Sequence, residues 1–250
     1  MVRITCAGKS DIGRKRHNNE DALMIRPDFS FASIADGMGG AASGEVASAI
    51  FVRSAFQIFE KDGRQGEEGA AELVQRAFLL ANETIWKEAL DNQDLKDMGC
   101  TAELLTFEDQ CYPLGHVGDS RTYLFRNGKL RRMTRDHSII QDQLDKGFIT
   151  PEEARTYALR NVITRTVGGV NETLAVDLIR GKGIPGDLFL LCSDGLSDMI
   201  TEEKMVEILS LPLGLGEKAE WLVESANAAG GLDNITVALC IIDHITEDAL

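Results

Sequence analysis

Residues 31–40 read FASIADGMGG. An apolar run from Phe31 to Ala35 closes on a carboxylate, Asp36, and breaks at once into glycine. Such a run reads as a buried strand, and a charge at the end of a buried strand is costly unless something compensates it. The arrangement recurs in LFLLCSDGLSD (188–198), where Leu188–Cys192 leads through Ser193 into Asp194-Gly195. It recurs again in YPLGHVGDSR (112–121), where Val117-Gly118 leads into Asp119-Ser120. One Asp after a strand is an ordinary turn former. Three at the ends of apolar runs call for a common cause.

Working outward from 31–40, residues 2–8 and 21–34 read as short strands, with the polar loop SDIGRKRHNNED between them. A helix is predicted from Ser43, as N-cap, to about Lys61, because Ala47, Ile50, Phe51, Ser54, Ala55 and Ile58 recur at three-to-four spacing. A second runs from about Glu68 to Leu90. From Gly99 to Met133 the period switches to strands, with Asn127-Gly128 as a two-residue hairpin turn. Residues 134–170 form a polar segment with short helices, and Thr150-Pro151-Glu152-Glu153 reads as a capping box. Strands return at 174–180 and 187–192, helices follow at about 201–210 and 216–229, and ITVALCIID is the last strand. Strict βαβ alternation is missing, so the expectation is layered α+β packing rather than a parallel sheet. There is no Pro-, Gly- or Ser-rich linker, low-complexity tract or repeat, so residues 1–250 read as a single domain.

The net charge of −14 argues against wrapping nucleic acid or docking on anionic membranes, both of which reward clustered Lys and Arg. It is compatible with carboxylates that await cations. Cys6, Cys100, Cys111, Cys192 and Cys240 are widely spaced, none at zinc-finger spacing. Nothing at the start of the chain reads as a signal peptide, and no apolar run approaches the ~20 residues a membrane span needs. The expectation is a soluble, cytoplasmic, monomeric protein with reduced thiols.

The acids at strand ends are Asp21, Asp36, Asp119, Asp194 and Asp233 of GGLDNITV. Carboxylates gathered at one sheet edge repel and raise one another's pKa. Hard divalent cations remove that penalty, and Mg²⁺ and Mn²⁺ prefer oxygen donors. Glycine after Asp36 lets the backbone approach, which makes the Gly37 carbonyl a candidate ligand. No His or Cys cluster competes for a softer metal.

The motifs SDIGRKRHNNED (10–21), ADGMGG (35–40) with SGEVAS (43–48), GCTAELL (99–105), GHVGDSRTYLFRNGKL (115–130), TRDHS (134–138), RNVITRTVG (160–168), LLCSDGLSD (190–198) and DNITV (233–237) follow one another in order. In that order they resemble the metal-dependent type 2C (PPM) serine/threonine protein phosphatases in their compact bacterial form. The resemblance covers nearly the whole chain. It implies an α-β-β-α sandwich of two antiparallel sheets with metals at one edge. By position, Asp36 would bridge two Mg²⁺ or Mn²⁺ ions, the Gly37 carbonyl would reach one, and Asp194 and Asp233 would complete the other. Asp119 with Asp194 would hold a weaker third ion. Glu20 and Asp21 would hold waters around the metals, and Arg16 would grip the substrate phosphate.

The resemblance further implies hydrolysis of phosphoserine and phosphothreonine in proteins, the products of a serine/threonine kinase. A catalytically silent metal-binding module that docks phosphoproteins and a small-molecule phosphatase are the alternatives. The chain departs from the family at Met38 and Ala41, where an imidazole often stands, and at Tyr157-Ala158, where His-Pro is frequent. His116 and His137 read as hydrogen-bonding structural groups.

Overall fold

The computed structural model describes residues 2–39, 43–63, 66–154, 157, 159, 161–169 and 174–245. The elements run β1 (Val2–Asp11), β2 (Asp21–Arg26), β3 (Phe31–Met38), α1 (Gly44–Asp62), α2 (Gly66–Asp91), β4 (Gly99–Cys100), β5 (Ala102–Thr106), β6 (Cys111–Val117), β7 (Arg121–Arg126) and β8 (Lys129–Arg132). They continue as α3 (Ile139–Asp145), α4 (Pro151–Ala154), β9 (Val167–Gly168), β10 (Asp177–Lys182), β11 (Leu188–Cys192), α5 (Asp194–Ser197), α6 (Glu202–Ser210), α7 (Leu215–Ala228) and β12 (Ile235–Ile245). One sheet has the order β1-β12-β11-β7-β8. The other has the order β10-β6-β5-β3-β4-β9, with β2 paired to β3. The pairings are antiparallel.

Three apolar layers explain the stacking. Between the sheets, Ile4, Ile34, Leu105, Leu114, Leu191 and Cys240 form one core, with Phe189 edge-on to Phe107 and Tyr112 at ring centroid distances of 5.3 and 4.9 Å. Outside the second sheet, α1 and α2 bury Phe51, Ala55, Val74, Phe78 and Ile85. Outside the first, α5, α6 and α7 bury Leu196, Met205, Ile208, Leu222 and Val223. The layers are therefore helix, sheet, sheet, helix, as the resemblance implied.

The sheets are also pinned by a buried polar pair. Glu103 of β5 and His116 of β6 are both wholly buried and ion-paired, and Glu103 accepts a bond from Thr122 of β7 in the opposite sheet. Burial alone would lower the His116 imidazole, but the Glu103 carboxylate overrides this and holds it above its usual range. His116 and His137 are thus both hydrogen-bonded within the fold, His137 accepting from the Gly118 amide at 3.1 Å.

Two local readings change. The stretch 21–34 is not one strand: a 3₁₀ turn at Pro27–Phe29, where proline cannot supply a ladder donor, divides it into the hairpin β2–β3. β3 does not stop at Asp36 but runs to Met38 and pairs with β4. Ser43 occupies the N-cap position of α1 in helical backbone and makes no side-chain cap. The Thr150 capping box is present, with Glu153 N–H donating to Thr150 Oγ1 and Thr150 N–H to Glu153 Oε2. Asn127 and Gly128 both have positive φ, 52° and 72°, as their two-residue hairpin requires. Among the described residues no helix is long and apolar enough to cross a membrane.

Candidate metal centre

The β2–β3 hairpin sets Asp21 directly opposite Asp36. Burial pushes Asp36 far above the usual carboxylate range, and the charges of Asp21, Asp194, Asp119 and Asp233 push it further. Asp194 is raised in the same way, by burial and then by Asp119, Asp198, Asp233 and Asp21. Burial lifts Asp21 to about 6, and lifts Asp119 to about 7 with help from Asp136 and Asp198. Five aspartates far apart in sequence therefore feel one another at a single locus. Each is half-buried, packed by protein on one side and open on the other.

Hydrogen bonds between elements fix this locus. Asp36 N–H donates to Thr101 Oγ1 at 3.2 Å, Thr101 N–H donates to the Asp36 carbonyl at 2.9 Å, and Thr101 Oγ1 bonds Ser120 Oγ at 2.7 Å, which ties Asp36 to the Asp119 turn. Ser193 Oγ donates to Asp21 at 2.8 Å and accepts from Thr236 N–H at 3.0 Å. Asn234 holds the loop between β1 and β2. Its amide donates to the Ile12 and Asn18 carbonyls at 3.0 and 2.9 Å, and its carbonyl accepts from Glu20 N–H at 2.8 Å. Two glycines permit the approach. A Cβ at Gly37 would stand 2.0 Å from the Gly44 carbonyl oxygen, and one at Gly195 would stand 1.9 Å from that of Asn234.

Arg16 lies at the centre, but on a protein acid: its Nη2 donates to Asp233 Oδ2 at 2.6 Å. Burial alone would lower its pKa, and the bond to Asp233 and the charges of Asp233, Glu20 and Asp36 reverse that. Glu20 accepts from Asn18 Nδ2 at 3.0 Å.

Among the described residues no three His, Cys, Asp or Glu side chains close up as a finished chelate. Arg16 holds Asp233. The donors nevertheless suit a hard cation. Asp21 Oδ1 and Asp194 Oδ1 are buried with no hydrogen-bond partner, an expensive condition for an acceptor. The convergent donors are carboxylate oxygens, with the Gly37 backbone in close packing beside them.

Of the candidate site residues read from the sequence, Asp21, Asp36, Asp119, Asp194 and Asp233 lie within electrostatic reach of one another, with Arg16, Glu20 and Gly37 beside them. The Ala41 and Ala158 departures lie outside the described residues, while Met38 is exposed beside the centre. Asp198 escaped the sequence reading. It follows Asp194 by one helical turn, with its N–H bonded to the Asp194 carbonyl at 2.8 Å, and its charge raises both Asp119 and Asp194. Its position at the end of LLCSDGLSD was the available signal. Thr101, Ser120, Ser193 and Asn234 were also missed as supports, because their roles depend on contacts distant in sequence.

Comparison with known proteins bears on the family and the fold. The family model described as protein phosphatase 2C matches residues 7–226. The serine/threonine protein phosphatase PstP of Mycobacterium tuberculosis is 38% identical over 98% of this chain, and the chain spans 47% of PstP, about half its length. The protein phosphatase PhpP of Streptococcus pneumoniae is 35% identical over 96% of this chain and 97% of its own. The crystal structure of the PstP catalytic domain in complex with two manganese ions superposes with a TM-score of 0.89 at 34% identity, covering 97% of this chain and all of that one. With the family model matched over most of its length, relatives at 38% and 35% identity and layered sheets that superpose on the PstP catalytic domain, the chain belongs to the protein phosphatase 2C family.

Proposed function

We propose that this chain hydrolyses phosphoserine and phosphothreonine in proteins with Mg²⁺ or Mn²⁺. The observation that carries the reading is the convergence of Asp21, Asp36, Asp119, Asp194 and Asp233, with two carboxylate oxygens unpartnered. Asp36, the Gly37 carbonyl, Asp194 and Asp233 would hold two ions, and Asp119 with Asp194 a weaker third. Ions bound there supply charge neutralisation and an attacking water of lowered pKa. In the net reaction the water oxygen bonds to phosphorus, the bond from phosphorus to the seryl or threonyl oxygen breaks, and that oxygen takes a proton.

The chain's own residues bind and orient. Arg16, released from Asp233, offers a guanidinium fork to two phosphate oxygens. Glu20 and Asp21 accept hydrogen bonds from water in the cleft. Asp36 and Asp194 supply negative charge that only cations offset. Met38 can donate no proton, so the leaving oxygen draws its proton from water. The substrates would be products of serine/threonine kinases. The silent docking alternative gains no support, since the acids expected of an active site are present and PstP and PhpP are named as phosphatases.

The test is turnover of a phosphopeptide and of an aryl phosphate after chelation and after Mn²⁺ addition, in the native chain and in Asp194→Asn. Turnover that returns with Mn²⁺ in the native chain, and stays at least about 10³-fold lower in the variant, is expected. Equal turnover in both proteins would overturn the reading. A preference for small phosphorylated metabolites over phosphopeptides would reassign the substrate class.

A further inference from the structure

The cysteines are scattered in sequence, but the fold brings two of them face to face. Cys6 in β1 stands opposite Cys240 in β12 in the antiparallel register. Cys240 is wholly buried in the core between the sheets, and half-buried Cys6 packs against the same core. Burial pushes the Cys240 thiol up, and the neighbouring Cys6 thiol pushes it further. By contrast, Cys100 faces Gly37 and Val167, Cys111 faces Lys182, and Cys192 faces Val237 and Arg121.

The hydrogen bonding of β12 sharpens the point. On its other side, Ile242 N–H donates to the Asp187 carbonyl, and the Thr236 carbonyl accepts from Ser193 N–H. Main-chain groups of a regular strand alternate sides with period two. Residues 236, 238, 240 and 242 therefore turn theirs toward β11. Cys240 exchanges no ladder bond with Cys6, so the pair occupies a non-hydrogen-bonded site. At such sites opposed Cα atoms stand ~4.5 Å apart and side chains lie closer, within the ~4.4–6.8 Å that a disulfide spans. The register shift on this ladder falls between Arg3 and Ile4, outside the pair.

We propose that Cys6 and Cys240 form a redox site that a hydroperoxide closes into a cross-strand disulfide. The Cys6 thiol, on the less buried residue of the pair, gives two electrons to the peroxide. The O–O bond breaks, Cys6 becomes a sulfenic acid, and one water leaves when the oxidant is hydrogen peroxide. The Cys240 sulfur then attacks the Cys6 sulfur. The S–S bond forms, the S–O bond breaks, and the hydroxyl leaves as a second water with the Cys240 proton. The bond joins the first strand to the last and closes a loop that contains almost the whole chain. It clamps the ladder that ends at Asp11 and Ile235, next to Asp233. Long closed loops gain most from such a bond.

The experiment treats the native chain with hydrogen peroxide, blocks remaining thiols, and maps the digest by mass spectrometry, alongside Cys6→Ser, Cys240→Ala and Cys111→Ser. The expected result is one linked pair of peptides carrying Cys6 and Cys240, reversed by dithiothreitol. It should be absent from Cys6→Ser and Cys240→Ala and retained in Cys111→Ser. The oxidised chain should unfold about 5 °C or more above the reduced chain. Should Cys240→Ala fail to fold, Cys6→Ser alone decides the mapping. Cys6 halted at sulfenic or sulfinic acid, a bond to another cysteine, or an unchanged unfolding midpoint in the linked protein would each overturn the proposal.

Discussion

Arg16 is the side chain we propose for two partners, Asp233 and the substrate phosphate. Its Nη2 donates to Asp233 Oδ2 at 2.6 Å, where the guanidinium offsets part of the charge that the aspartates accumulate. A phosphate dianion competes for the same donors and offers two matched oxygens. Arg16→Ala is expected to raise KM for a phosphopeptide about tenfold while lowering kcat less, because the contact is made before and during the reaction. Arg16→Lys should recover only part of the loss, since an ammonium keeps the charge but not the fork. Steady-state kinetics on the three proteins checks this, and an unchanged KM in the Ala variant removes Arg16 from the substrate site.

At the scale of elements, the loop between β1 and β2 carries Arg16 and Glu20 yet has little regular structure of its own. Asn234, at the entry to β12, supplies the missing order through three bonds to that loop's backbone. Asn234→Ala leaves two carbonyls and one amide without these partners. The expected cost is about 1–3 kcal/mol in a denaturant titration. KM should also rise, because Arg16 loses its fixed approach. A variant with lower stability and an unaltered KM would show that the loop is positioned by other contacts. The hairpin β2–β3 is the second decisive element. Its register sets Asp21 against Asp36, and a slip of one residue would turn one acid away from the other.

At the scale of the molecule, Glu103, His116 and Thr122 join the two sheets through wholly buried polar groups. Glu103→Ala leaves His116 and Thr122 without that partner and is expected to destabilise the fold by about 3–5 kcal/mol, read from urea unfolding. A loss under 1 kcal/mol would mean the sheets are held by the apolar core alone. The acid cluster makes a second global prediction. Asp119 is raised to about 7, and Asp36 and Asp194 are raised well above their ordinary values. Between pH 6.5 and 8.5 the folded chain therefore binds more protons than the unfolded chain, and stability falls as pH rises. His116, raised from 6.5, acts in the same direction. His137, lowered to about 4 by burial, acts in the opposite direction, but mainly below about pH 6.5 and only weakly inside this window. The chelated protein should unfold at a lower temperature at pH 8.5 than at pH 6.5, and Mn²⁺ should abolish most of the difference by replacing those protons. A chelated midpoint that is flat or rising across the window would contradict it.

The sequence by itself determined the alternation of strand and helix, the hairpin at Asn127-Gly128, and the aspartates that close the apolar runs. Those features depend on local periodicity and turn chemistry, which a single chain displays in order. It also marked Asp36, Asp119 and Asp194, because an acid after a buried strand is conspicuous without any partner in view, and Asp233 just before the last strand. The tertiary structure alone decided that Pro27 turns one apparent strand into a hairpin, that Asp198 joins the cluster, and that Arg16 lies on Asp233. It decided too that Asn234 and Thr101 hold the centre together and that Cys6 meets Cys240. Each of these depends on strand register and on contacts between residues far apart in the chain, and strand register is fixed only when both faces of a sheet find their packing partners.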